Sequence, residues 1–100
     1  MVRPHLQAEL ELIDAIEWYE RARQGLGGEL WDEVQRSNTL ITKSPAIGGL
    51  IRGANVSLPV RRIPLRRFPY FLIYRERESH LEIVAFAHMS QRPGYWRDRI

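Results

Sequence analysis

The sequence has no cysteine, which removes disulfide scaffolds, thiolate catalysis and cysteine-based zinc sites together. A reducing, cytoplasmic setting fits that absence. Long apolar runs are missing as well: Tyr70 to Tyr74 and Ile83 to Ala87 reach five residues each, far short of the ~20 that a membrane-spanning helix needs. Glu9, Glu11 and Asp14 interrupt the only N-terminal apolar stretch, so a secretory signal is not expected. The three histidines, His5, His80 and His88, show no ligand spacing and no accompanying acidic cluster, so neither a metal nor a cofactor is expected. Gly25-Leu26-Gly27-Gly28 fits neither the phosphate loop nor the dinucleotide fingerprint, and there is no nucleophile elbow. Lysine occurs once, at Lys43, so fourteen of the fifteen basic side chains are arginine.

What is present is an ordinary globular composition, 44% hydrophobic and 27% charged over 100 residues. The expectation is one domain spanning residues 1–100 around a single modest core. Charge is split along the chain. Residues 1–50 carry five basic and eight acidic side chains, net −3; residues 51–100 carry ten basic and four acidic, net +6. A basic half points to an anionic partner, either nucleic acid or an acidic protein segment.

The apolar period divides the chain in the same place. Residues 1–5 are long enough only for an edge strand, and Pro4 suits one. From Leu6 to Ala22 the apolar positions Leu6, Leu10, Ile13 and Ile16 recur at helical spacing, with acids on the other faces. Gly25, Gly27 and Gly28 stop that helix, and a second runs from Leu26 or Glu29 to Thr42, making an antiparallel hairpin. Residues 44–55 read as a loop by their three glycines and one proline. Then the pattern becomes extended. Val56, Leu58 and Val60 alternate, Ile63 and Leu65 alternate in the opposite phase, and the slip at Arg61-Arg62 reads as a bulge or break. Tyr70–Arg75 and Leu81–His88 are the clearest strands, and the tail from Gln91 to Ile100 reads as a turn followed by a short helix. The fold class is α+β, with the helical hairpin on one face of a sheet and arginines on the free face and its edges.

The chemistry-bearing residues lie in the second half. Arg61-Arg62 and Arg66-Arg67, with the members of each pair directed to opposite sides of an extended backbone, are followed by Arg75, Arg77, His88, Arg92, Tyr95, Trp96, Arg97 and Arg99. Arginines interleaved with aromatic rings suit single-stranded RNA, charge meeting phosphate and flat rings meeting bases. For RNA cleavage, His88 and Tyr95 are the proton carriers of this region. The same residues have plainer readings: a hydrogen-bonded strand-end histidine, arginines facing an acidic protein, and Trp96 as a clamp for the tail.

The order Trp18-Tyr19-Glu20, Gly25-Leu26-Gly27, Val60-Arg61-Arg62, Leu65-Arg66-Arg67-Phe68-Pro69-Tyr70, Ile73-Tyr74 and His88, Arg92-Pro93, Trp96 resembles toxins of the RelE/ParE superfamily of type II toxin–antitoxin systems. The resemblance covers nearly the whole chain and implies two helices packed on a curled antiparallel sheet. It also implies a growth-arresting protein neutralised in a hetero-oligomer by a cognate antitoxin, whose extended and partly helical segment wraps the toxin. An acidic segment would suit the basic half.

The superfamily has two activities, cleavage of messenger RNA at the ribosome and poisoning of DNA gyrase. The cleaving branch implies a role for Arg66, matched through the Leu65-Arg66, Tyr70, Tyr74 frame, and for a tail arginine and tyrosine. Ser90 and Trp96 stand at those tail positions here, with Arg92 and Tyr95 nearby. The ParE-like, gyrase-directed branch is therefore favoured, with Arg61, Arg62, Arg66, Arg67, Arg92 and Trp96 as target-binding residues. The alternative is a metal-independent, ribosome-dependent messenger RNA endonuclease using His88, Tyr95, Arg66 and Arg92. A second alternative is a non-toxic member that binds its antitoxin and acts in repression.

Overall fold

The helical spacing of the first half sets the fold's first layer. In the computed structural model, which describes residues 2–53 and 58–100, helix α1 spans Leu6–Ala22 and helix α2 spans Leu26–Lys43. His5 caps α1, its Nδ1 accepting the Gln7 N–H at 3.1 Å. The Glu20 carboxylate accepts the N–H groups of Gly25 at 2.9 Å and Gly27 at 3.0 Å. An anion there also complements the positive end of the α2 dipole. The sequence leaves two starts for α2, Leu26 and Glu29; the helix begins at Leu26, so Gly27 and Gly28 form its first turn. A Cβ on Gly27 would stand 2.8 Å from the Ile16 carbonyl oxygen, so glycine is what lets the hairpin close this tightly.

Five strands make the second layer: β1 (Val2–Pro4), β2 (Gly49–Leu50), β3 (Val60–Pro64), β4 (Tyr70–Glu76) and β5 (Leu81–His88). Their order is β1-β5-β4-β3-β2, antiparallel except for β1, which runs parallel to β5. The loop expected over residues 44–55 thus contains a short edge strand, Gly49 and Leu50 opposite Arg62 and Arg61. The rest of that loop from residue 54, together with Val56, lies outside the described residues.

Two other expectations are corrected. Strand β3 pairs with β4 without interruption from Val60 to Pro64; there is no break at Arg61-Arg62. The irregularity lies between β4 and β5, where Ile73 faces Ala85 and Tyr74 faces Ile83, leaving Val84 as the extra residue. Opposite phases in β3 arise because the sheet buries side chains on both faces. Ile63 and Leu65 join Leu30, Val34, Ile41, Leu72 and Phe86 beneath the helices. Val60 joins Ile73, Val84, Ala85, Ala87 and Trp96 on the other side. That other face is therefore not free for arginines: the C-terminal segment, ending in a single 3-10 turn at Arg97–Arg99, covers it.

Side chains also close the sheet's edge. β1 pairs with residues 81–83 of β5 only, so the remainder of β5 has no neighbouring strand on that side. Glu11 Oε1 accepts the Phe86 N–H at 3.1 Å, and Arg99 donates to the Val84 carbonyl at 3.1 Å. Arg99 and Glu11 meet as a two-pronged ion pair, both contacts at 2.9 Å. A paired fork with buried main-chain partners satisfies the open edge as a strand would.

Candidate functional site

The structure distributes the candidate residues over three places. Arg61 and Arg62 sit on the extended backbone of β3 and face opposite sides, as the strand pleat requires. Arg61 donates to the carbonyls of Ala46 at 3.2 Å and Gly48 at 2.8 Å. Tyr74, fully buried, reinforces the same loop, accepting the Gly48 N–H at 2.9 Å and donating to the Pro45 carbonyl at 2.8 Å. A Cβ at Gly48 would come within 2.6 Å of that hydroxyl, so Arg61 and Tyr74 together grip a loop that only glycine permits. Arg62 is exposed on the tail side, its guanidinium 4.6 Å from the centroid of the Phe71 ring.

Arg66 and Arg67 stand elsewhere. They lie in the turn between β3 and β4, and Arg67 has φ 69, a left-handed conformation uncommon for a side chain of this size. The turn is tied to α2. The Arg66 main-chain N–H donates to Glu33 at 2.6 Å, and the Arg67 guanidinium pairs with Glu29 at 2.6 Å. Glu29 also receives Arg23 at 3.1 Å. Hydrogen bonds from Arg67 and then Arg23 hold the Glu29 carboxyl below its ordinary range. The side chain of Arg36 and the Arg66 N–H do the same for Glu33, against the opposing effect of burial. Two of the expected target-binding charges, Arg61 and Arg67, are thus engaged inside the molecule. The Arg66 guanidinium is exposed and makes no hydrogen bond among the described residues.

The third place is the end of β5 and the tail. Arg62, His88 and Arg92 line one cleft of about 120 Å³, floored by Phe71, Tyr95 and Trp96. His88 Nδ1 accepts the Ser90 N–H at 3.0 Å and lies 2.7 Å from the Ser90 hydroxyl. With Nδ1 accepting, the neutral ring carries its proton on Nε2. Tyr95 is differently placed. Its hydroxyl donates to Glu11 Oε2 at 2.7 Å, and Arg99 lies 5.1 Å over its ring. Burial, followed by that bond to Glu11, raises the Tyr95 hydroxyl far above the ordinary phenol range. Trp96 is 2% exposed and packs on the sheet. Arg92 is exposed, with no ion pair among the described residues.

Sequence reasoning missed the pair that organises this end, Glu11 and Arg99. They are 88 positions apart, and Glu11 reads as one of several acids on the polar side of α1. Its one local signal is its position a helical turn before Ala15, which is buried: a carboxylate on that row faces the sheet rather than water.

Two helices over a mixed sheet, with a short first strand at one edge, define the ParE-like α+β fold. Its agreement with a known structure is specific: a chain of the chromosomal ParDE TA system from P. aeruginosa superposes with a TM-score of 0.70, covering 87% of this chain and 92% of that one, at 15% sequence identity. No family model matches the sequence, and no curated protein matches it. Among the described residues, no helix is long and apolar enough to cross a membrane.

Proposed function

We propose that this protein is the toxin of a type II toxin–antitoxin pair, arresting growth through DNA gyrase and neutralised in a complex with its cognate antitoxin. The fold shared with a chain of a ParDE system supports the class. The observation that carries the choice of activity is Tyr95: its half-buried hydroxyl donates to Glu11, itself paired with Arg99, so its proton is committed within the domain rather than offered to a bound RNA. Of the candidate target-binding arginines, Arg62, Arg66 and Arg92 are exposed and make no ion pair among the described residues, which leaves them for an anionic or acidic target surface.

A plasmid supercoiling and cleavage assay with purified gyrase tests this reading. Linear DNA is expected to accumulate when the protein is added and to disappear when the antitoxin follows. Unchanged supercoiling, from a preparation that arrests growth in cells, would transfer the target to the ribosome.

One observation favours that second reading. His88 shares its cleft with Arg62 and Arg92, which combines a titratable ring with phosphate-binding charge. A ribosome-dependent endonuclease built on this cleft would cut transcripts at fixed positions in the codon and lose cutting in His88→Ala. Primer extension on ribosome-bound messenger RNA reads both outcomes.

A further inference from the structure

On the helix side of His88 lies a second cavity, about 410 Å³, between α1 and the end of β5. Its wall is built of rings. Tyr70 stacks on Phe86 with centroids 4.3 Å apart, His88 meets the Tyr70 ring edge-on at 5.0 Å, and Trp18 meets Tyr19 edge-on at 4.9 Å. Burial raises the Tyr70 hydroxyl, and the neighbouring Tyr19 adds to the shift. The rim carries two carboxylates. Glu11 is saturated by Arg99, Tyr95 and the Phe86 N–H. Asp14 makes no hydrogen bond or ion pair among the described residues.

The charge of this cavity is the opposite of the chain's. Fifteen basic residues are present in the sequence, and not one lines it. An unpaired carboxylate beside aromatic rings, whose π-systems carry negative potential, is the environment that attracts an organic cation. The surface outside the cavity gives the cation's context. Trp18 is 58% exposed, and Leu10, two helical turns earlier on the same row of α1, is 51% exposed. Asp14 lies between them on that row. An apolar strip leading into a ring-walled pocket suits a polypeptide segment better than a free small cation.

We propose that this pocket seats the guanidinium or ammonium group of an arginine or lysine side chain supplied by a partner protein. Its neighbouring residues would cover Leu10 and Trp18. The proposal stands apart from the toxin reading, because no part of it depends on gyrase or RNA. It does add a requirement: a partner that wraps this domain must bring positive charge to α1, whatever acidic residues it brings to the arginines of the sheet.

The test uses the whole chain, labelled with nitrogen-15, titrated with N-acetyl-arginine methylamide and separately with its uncharged citrulline counterpart. The indole N–H of Trp18 reports binding, while those of Trp31 and Trp96 act as internal references. Half-saturation is expected on the order of a few millimolar for the arginine compound. The citrulline compound should bind about tenfold more weakly, and Asp14→Asn should weaken the arginine compound about fivefold. Asp14 is exposed, so this variant folds. Equal binding of citrulline, no effect of Asp14→Asn, or a silent Trp18 at about ten times the expected concentration would overturn the site. A capped peptide carrying two leucines beside the arginine should bind more tightly than the single residue. Equal affinity for the two would overturn the polypeptide occupant.

Discussion

The two faces of the sheet are both buried, but by different means. Beneath the helices the core is made of large side chains, Leu30 and Ile41 from α2 meeting Leu72, Tyr74 and Phe86 from the sheet, under helices of 17 and 18 residues. On the tail side the sheet offers Val60, Val84, Ala85 and Ala87 to one indole, that of Trp96. The segment holding that indole has one 3-10 turn of its own. What replaces secondary structure there is the joint of Glu11, Tyr95 and Arg99. One side is held by repetition and the other by a single knot, so the second is where single substitutions act most strongly.

Trp96→Ala puts the comparison to its hardest test. Removing a buried indole is expected to cost about 3–5 kcal/mol, measured by urea unfolding, at least as much as Leu30→Ala under the helices. A loss below about 1 kcal/mol would mean that the tail is a separable flap and that the helix-side core stands alone. Glu11→Gln comes next. It leaves Arg99, whose side chain is 8% exposed, without its anion, and about 3 kcal/mol is expected. Glu33→Gln, at the other side of the molecule, should cost less in the same assay, since Arg36 remains partly solvated.

The two sides should also fail at opposite ends of the pH scale. Glu29 and Glu33 have carboxyls held below their ordinary 4.5. Their contribution is therefore complete above that value and is lost as acid protonates them. Tyr95 is the reverse case, its hydroxyl raised above the ordinary 10.0 by burial and Glu11. The folded state keeps a proton that the unfolded chain releases, so this contribution is complete below pH 10 and fades above it. Urea midpoints measured from neutral to alkaline pH should fall less steeply in Tyr95→Phe than in the parent. Some slope persists because burial raises Tyr70 and Tyr74 too. The smallest change in stability, under about 0.5 kcal/mol, is expected for Arg62→Ala and Arg92→Ala, both exposed. Growth arrest should nevertheless be lost in the pair, as scored by colony counts after induction. Arrest that survives both changes would detach the toxin reading from this cleft.

The helix side was legible because its period is local. Leu6 to Ala22 and Leu26 onward announce themselves within a few turns: α1 has the expected bounds, and α2 takes the earlier of its two expected starts and ends one residue later than expected. The tail side was not. Val60 and Ile63 alternate in opposite phases because each serves a different core, and a pattern of one strand cannot separate two-sided burial from a slip. The real bulge falls at Val84, inside an unbroken apolar run from Ile83 to Ala87 that has no alternation to disturb. Gly49 and Leu50 form an edge strand in a glycine-rich stretch because Arg61 and Tyr74 hold the loop from afar. The positive φ of Arg67 has no compositional sign at all. In the candidate site, the sequence found Arg62, His88 and Arg92, which the fold does bring together. It had no means of showing that Glu11 would reach Tyr95 and Arg99 across most of the chain.

The ion pair that finishes β5 has a consequence for solubility. A strand margin with unsatisfied amide and carbonyl groups is a template on which another copy can add. Here that margin is sealed by two side chains, Glu11 and Arg99, with Tyr95 bonded to Glu11 behind them. Nicking the chain ahead of Tyr95 would take Trp96 off the sheet and Arg99 off Glu11 together, and so unseal the template. Precipitation would then accompany the loss of stability.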